Sequence, residues 1–177
     1  MIVLEQWDRN QLAGCIGEVL EVYAEAMEVQ PSAARGRRTV MRDHLDRDGL
    51  RSVAAVDGPR LVGIGYGYVG GPGQWWHDHV REALLPEQAA AWLDGAFEVC
   101  ELHVRPALQG TGVGRAVLEQ LLGSTPAATS VLTTPDTDTR ARRFYRAGGW
   151  LDLVHGLVFP GDPRSFAVLG RHLGSAP

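Results

Sequence analysis

The chain contains no lysine; all 17 of its basic residues are arginine. A catalytic lysine and acetylation of an internal lysine are therefore excluded. Cysteine is nearly absent as well. Cys15 falls in a stretch of helical periodicity and Cys100 in a strand-like one, so both read as small core residues rather than a disulfide or a metal pair. No apolar run approaches the length of a membrane span, and MIVLEQWDRN lacks the basic start of a signal peptide. A cytoplasmic protein without membrane contact is expected. There is no excess of positive charge: 17 basic residues stand against 21 acidic ones, and a pI near 5.8 argues against nucleic-acid binding. No repeat, linker or low-complexity block divides the 177 residues, so residues 1–177 read as one domain.

The most informative stretch is AFEVCELHVRPALQGTGVGR, residues 96–115. Phe97 to Val104 is rich in β-branched and apolar residues and predicts a strand, which Pro106 ends. Gln109-Gly110-Thr111-Gly112-Val113-Gly114 follows. From Val113 the apolar residues then fall at Val113, Val117, Leu118, Leu121 and Leu122, which is helical spacing. A strand, a glycine-rich turn and a helix in this order aim unpaired backbone N–H groups and a positive helix end at one point. Such a site holds an anion, and phosphate is the natural one.

Spacing decides between phosphate loops. A P-loop would need Gly-Lys-Ser/Thr where Gly114 is followed by Arg115, and a dinucleotide fingerprint would need a third glycine at Arg115. Gly65-Tyr66-Gly67-Tyr68-Val69-Gly70 matches that fingerprint letter for letter. There, however, glycines 63, 65 and 67 alternate with Ile64, Tyr66 and Tyr68, and period two means a strand with a bare glycine face.

The pattern that fits, Gln-x-x-Gly-x-Gly at Gln109, Gly112 and Gly114, resembles the pyrophosphate loop of the GCN5-related N-acetyltransferase (GNAT) superfamily. Thr139 to Trp150, with Phe144-Tyr145 and Gly149-Trp150, is similar to that family's next helix, in the same order and at about the same separation. The resemblance covers essentially the whole chain. It implies an α/β (α+β) fold with a central mixed, mostly antiparallel sheet flanked by helices, in the order β-α-α-β-β-β-α-β-α-β-β. It also implies an acetyl-CoA-dependent N-acetyltransferase acting on a primary amine of a small molecule or peptide, by direct attack in a ternary complex. A catalytically silent acyl-CoA-binding or regulatory module on the same scaffold is the alternative.

The resemblance also assigns roles. Gln109, Gly110, Thr111, Gly112, Val113 and Gly114 would hold the pyrophosphate, with Arg115 adding charge. Leu102-His103-Val104 would pair with the pantetheine arm, the N–H of Val104 polarising the thioester carbonyl. Tyr145 would protonate the leaving thiolate, since a phenol keeps its proton at neutral pH; packing into the core is its other reading. Asp138 stands where the family often carries an asparagine that contacts the cofactor, and it could instead cap the helix. For the base, Glu98 is preferred and Glu101 comes second, with ordered water or a salt-bridged Glu101 as alternatives. No metal is expected: His77-Asp78-His79 lacks a third ligand of characteristic spacing.

Residues 70–95, between two glycine-rich joints, depart from the family and read as an irregular, lid-like insertion. Trp75 and Trp76 are its candidate acceptor contacts. A surface helix or a homodimer contact are its other readings. Elsewhere the sequence predicts an edge strand at 2–6 and a helix from an Asn10 cap to about Val29. A second, arginine-rich helix capped by Ser32 follows, with Arg35, Arg37, Arg38, Arg42 and Arg47 on a solvated face. A hairpin turns at Asp57-Gly58-Pro59, an antiparallel pair closes the chain, and residues 174–177 form a frayed tail.

Overall fold

The computed structural model describes residues 1–174. Its elements run β1 (Ile2–Trp7), α1 (Arg9–Gly14), α2 (Ile16–Ala26), α3 (Pro31–Ala34), α4 (Arg37–His44), β2 (Arg51–Asp57) and β3 (Arg60–Val69). They continue as α5 (Trp75–Glu82), α6 (Pro86–Leu93), β4 (Phe97–Val104), α7 (Val113–Gly123), β5 (Thr129–Pro135), α8 (Arg140–Ala147), β6 (Leu151–Val158) and β7 (Ser165–His172). One mixed sheet takes the strands in the order β1-β2-β3-β4-β5-β7-β6, with β1 on an edge as its sequence predicts. The β1/β2, β2/β3, β5/β7 and β6/β7 pairs are antiparallel; β4 and β5 are parallel, in register at Phe97–Ser130 and Glu98–Val131. Among the described residues no helix is long and apolar enough to cross a membrane. The expected tail lies outside the described residues from residue 175 on.

The chain forms two compact units. The first comprises Met1–Tyr68 with Val99–Thr125. Its core joins Leu12, Ile16, Val19, Leu20 and Val22 of the N-terminal helices to Met41, Ala54, Leu61, Ile64 and Tyr66, with Cys100 packed alongside. The N-terminal helix differs from expectation in two ways. Asp8, not Asn10, caps it, in a reciprocal box with Gln11. It also breaks at Cys15, so the buried stripe is shared between two short helices. The second predicted helix is likewise divided into α3 and α4, and Ser32 lies inside α3 after a Gln30 cap.

The glycine face of β3 admits its neighbours. A Cβ on Gly65 would stand 2.9 Å from Val117 Cγ1 of α7 and 3.3 Å from Leu102 Cδ1 of β4; on Gly63 it would stand 3.3 Å from Val104 Cγ2. The alternation that mimics a nucleotide fingerprint is a packing device. It lets α7 lie directly against the sheet.

The second unit comprises Val69–Glu98 and the chain from Pro126 on. Residues 70–95, expected to be irregular, contain two eight-residue helices, α5 and α6. Their inner residues Val80, Leu84, Ala89 and Leu93 are buried with Ala96, Val131, Phe159 and Val168. A lid moving as a whole would give up that burial, worth roughly 1.5–3 kcal/mol for each large aliphatic side chain. Pro86 opens α6, where its missing N–H costs nothing.

In the same unit, α8 is tied to its surroundings by buried charge. Arg142 pairs with Asp136 and, at 3.1 Å, with Asp152, while Asp136 also accepts from the N–H of Gly156 and meets His155. The hydrogen bond from His155 is the largest of the effects that hold the Asp136 carboxyl down to about 2, with Gly156 and Arg142 adding to it against a smaller penalty of burial.

Two outcomes follow for stability. Gly65→Val should cost about 1–3 kcal/mol or more through overpacking against α7, read as a lower urea midpoint; an unchanged midpoint would mean that α7 does not lie where described. Asp136 ionises more readily folded than unfolded, so its contribution is complete above its ordinary value of 3.8 and is lost as pH falls through about 2. Melting curves of the wild type and Asp136→Asn should therefore converge over that window, and a constant gap would contradict the assignment.

Candidate active site

The loop between β4 and α7 is built by local hydrogen bonds and two left-handed glycines. The side-chain amide of Gln109 donates to the carbonyl of Val104 at 3.0 Å, fastening the loop to the strand end, and the Thr111 hydroxyl donates to the Leu108 carbonyl at 2.7 Å. Gly110 and Gly112 have φ of +83° and +97°, which a residue with a side chain adopts only with strain. Gly112 is the N-cap of α7 and brings no side chain to the helix start. The first bond within the helix runs from the N–H of Ala116 to the carbonyl of Gly112. The amides of Val113, Gly114 and Arg115 precede it and have no acceptor in the helix. They lie at the positive end of an eleven-residue helix whose buried face is Val117, Leu118, Leu121 and Leu122. Arg115 is exposed in that first turn. The arrangement suits a phosphate.

Leu102 and Val104 pack on the side of β4 that meets α7, as the contacts of Gly65 and Gly114 show. Glu101 is buried, and both its oxygens are taken. Oε1 accepts from Arg37 Nε at 2.6 Å, and Oε2 accepts from His103 Nε2 at 2.5 Å. Burial alone would raise the Glu101 carboxyl; the hydrogen bond from His103, then the charge and hydrogen bond of Arg37, outweigh it and hold the carboxyl below its ordinary value. A carboxylate so engaged has little acceptor capacity left for a substrate proton. Its salt-bridged reading is the one realised. Glu98, the preferred candidate, is buried at the β4/β5 register.

Beside this pair, the Tyr66 hydroxyl and His44 Nδ1 share a hydrogen bond of 3.1 Å. His44 is pushed down to about 4, first by burial and then by Arg37, so it is neutral at pH 7. Sequence reasoning missed Arg37, which it grouped with a solvated arginine face. No spacing signal could have found it, because its partner lies 64 residues away.

In the second unit, Tyr145 on α8 is buried, its ring 5.2 Å from Phe144 and 5.6 Å from Trp150. Its ring therefore realises the packing reading, which fixes the residue without excluding chemistry at its hydroxyl. Asp138 does not cap α8. Thr139 does, accepting from the N–H of Arg142, while Asp138 is exposed and pairs with Arg143 at 2.8 Å.

Trp75 and Trp76 separate. Trp76 packs against the second core and donates from Nε1 to Thr133 Oγ1 at 3.3 Å. Trp75 keeps 54% of its surface exposed, stacked on His79 and Phe159. Trp75 is the more exposed of the two. His77 is buried and bonds Asp78, whereas His79 bonds the Trp75 carbonyl, so each imidazole is engaged separately.

Comparison with known proteins places this geometry. The acetyltransferase (GNAT) family matches residues 16–149. A GCN5-like protein acetyltransferase of Mycobacterium tuberculosis is 36% identical, over 89% of this chain and 91% of that protein. A putative GNAT acetyltransferase from Desulfovibrio desulfuricans has the same fold, with a TM-score of 0.70 at 17% identity over 97% of this chain and 99% of that one. So does the PaiA N-acetyltransferase of Thermoplasma acidophilum in complex with coenzyme A, at 0.64 and 10% identity over 98% and 99% of the two chains. The loop, the strand order and the 36% relative agree: the chain belongs to the GNAT family of acetyltransferases.

Proposed function

We propose that the protein transfers the acetyl group of acetyl-CoA to a primary amine by direct attack in a ternary complex. The observation that carries this reading is the run of first-turn amides at Val113, Gly114 and Arg115, without acceptors in the helix, behind the left-handed Gly112. Pyrophosphate would be held there, and Arg115 would add a charge-assisted contact. When bound, acetyl-CoA supplies an activated thioester. The N–H of Val104 is the proposed donor to its carbonyl, and Tyr145, by resemblance, the proposed donor to the thiolate. The curated relative's name, protein acetyltransferase, favours an amine carried by a peptide or protein as the acceptor.

Gly114→Asp tests the loop without straining it. A Cβ there meets Val104 Cγ2 at an ordinary 3.5 Å, and Gly114 is not among the residues with positive φ. An aspartate in the first turn of a helix favours the fold, yet places negative charge against the pyrophosphate. Acetyl-CoA affinity, measured by calorimetry, should fall at least about tenfold, a loss of roughly 1.4 kcal/mol, with thermal stability kept. Unchanged binding would overturn the loop assignment. Tyr145→Phe should lower kcat by about 10- to 1000-fold with acetyl-CoA affinity nearly kept; equal turnover would return Tyr145 to a packing role alone.

A further inference from the structure

We propose that His103 is the group that takes the proton from the acceptor amine, with Glu101 and Arg37 as its positioning residues. The inference rests on the acetyl-transfer reading and deepens it. Glu101 cannot serve directly, since Arg37 occupies Oε1 and His103 occupies Oε2. The same bonds prepare the imidazole. An anionic Glu101, kept so by Arg37, accepts from Nε2–H and fixes that tautomer, which leaves the lone pair on Nδ1. Among the described residues no group is bonded to Nδ1. The ring is held edge-on by Tyr23 of α2, with centroids 5.1 Å apart and planes at 87°. Its side chain is still 12% exposed, against 4% for Glu101. The carboxylate is thus shielded while the imidazole remains reachable.

The charged and titratable groups around the pair are Glu101 on β4, Arg37 and His44 on α4, Tyr66 on β3 and Tyr23 on α2. His44 is the other imidazole of the cluster, and it is unsuited: burial makes it weakly basic and its Nδ1 is already bonded to the Tyr66 hydroxyl. His103 also immediately precedes Val104, whose N–H is the proposed donor to the thioester carbonyl.

The step balances. The ammonium form of the acceptor gives one proton to His103 Nδ1, forming an imidazolium. The freed amine nitrogen bonds to the thioester carbon, the carbon–sulfur bond breaks, and the nitrogen releases its surplus proton to water to become the acetamide N–H. The thiolate takes a proton from its donor, which water re-protonates, and the imidazolium returns its proton to water. The net products are the acetamide, coenzyme A as its thiol, and one proton.

The test uses the full chain, acetyl-CoA, and a panel of amines comprising polyamines, aminoglycosides, amino acids and peptides, with thiol release as the readout. His103→Gln keeps a donor toward Glu101. It should lower kcat at pH 7 about 100- to 10,000-fold with acetyl-CoA affinity unchanged, and turnover should be rescued as pH rises toward the amine's own pKa of about 9–10. A merely structural role would give no such rescue. Nitrogen-15 NMR should show a single Nε2–H tautomer in the wild type and a mixture in Glu101→Gln, a readout independent of activity. A pH profile for His103→Gln that matches wild type overturns the proposal, as does a Glu98→Gln variant that alone shows the loss and the rescue. Absence of turnover by the wild type with every amine would instead overturn the acetyl-transfer reading on which this one stands.

Discussion

Gly65 has no room for a side chain, and the proposed phosphate site of the first unit depends on that. A Cβ at this position would meet Val117 of α7 at 2.9 Å, nearer than unbonded carbons approach. With the glycine, α7 lies against β3 and β4, buries Val117, Leu118, Leu121 and Leu122, and is fixed in depth and direction. Its first-turn amides are then fixed as well. A helix end binds an anion well only when its N–H groups are already aimed, because aiming them on binding would cost ordering entropy. Gln109 completes the arrangement by holding the loop to the carbonyl of Val104. The same strand end therefore carries the fastening of the proposed phosphate loop and the proposed thioester contact.

The opposite demand, burying charge, governs the other side of the first unit. A carboxylate as enclosed as Glu101 is tolerable only with partners for both oxygens, and it has them in Arg37 and His103. Removing either partner would leave a buried charge exposed to its own desolvation cost. The second unit solves the same problem around Arg142, whose guanidinium meets Asp136 and Asp152 and so holds α8, the helix of Tyr145. In both cases the charges position an element or a ring before any ligand arrives.

What the sequence revealed was whatever is encoded locally. The strand–loop–helix at 97–123 follows from a β-rich run, a proline, left-handed glycines and a helical stripe, all within thirty residues. The period of two at Gly63, Gly65 and Gly67 correctly overruled a fingerprint match, because a strand and a helix-opening turn have different periods. Residues 70–95 were misread because glycines at both ends suggested coil; two eight-residue helices form there since Val80, Leu84, Ala89 and Leu93 find a core, which is a tertiary cause. The Asn10 cap was displaced by Asp8, where a reciprocal bond with Gln11 satisfies two backbone donors at once. Arg37 was illegible for a simpler reason: nothing along the chain marks which of five neighbouring arginines will reach Glu101.

The central claim is that the α7 amides behind Gly112 hold the pyrophosphate of coenzyme A. Hydrogen–deuterium exchange of the full chain, with and without coenzyme A, addresses it at the atoms concerned. The account predicts that the amides of Val113, Gly114 and Arg115, which lack intrahelical acceptors, become protected on binding. Binding of coenzyme A that leaves these amides exchanging at their free rate would contradict it.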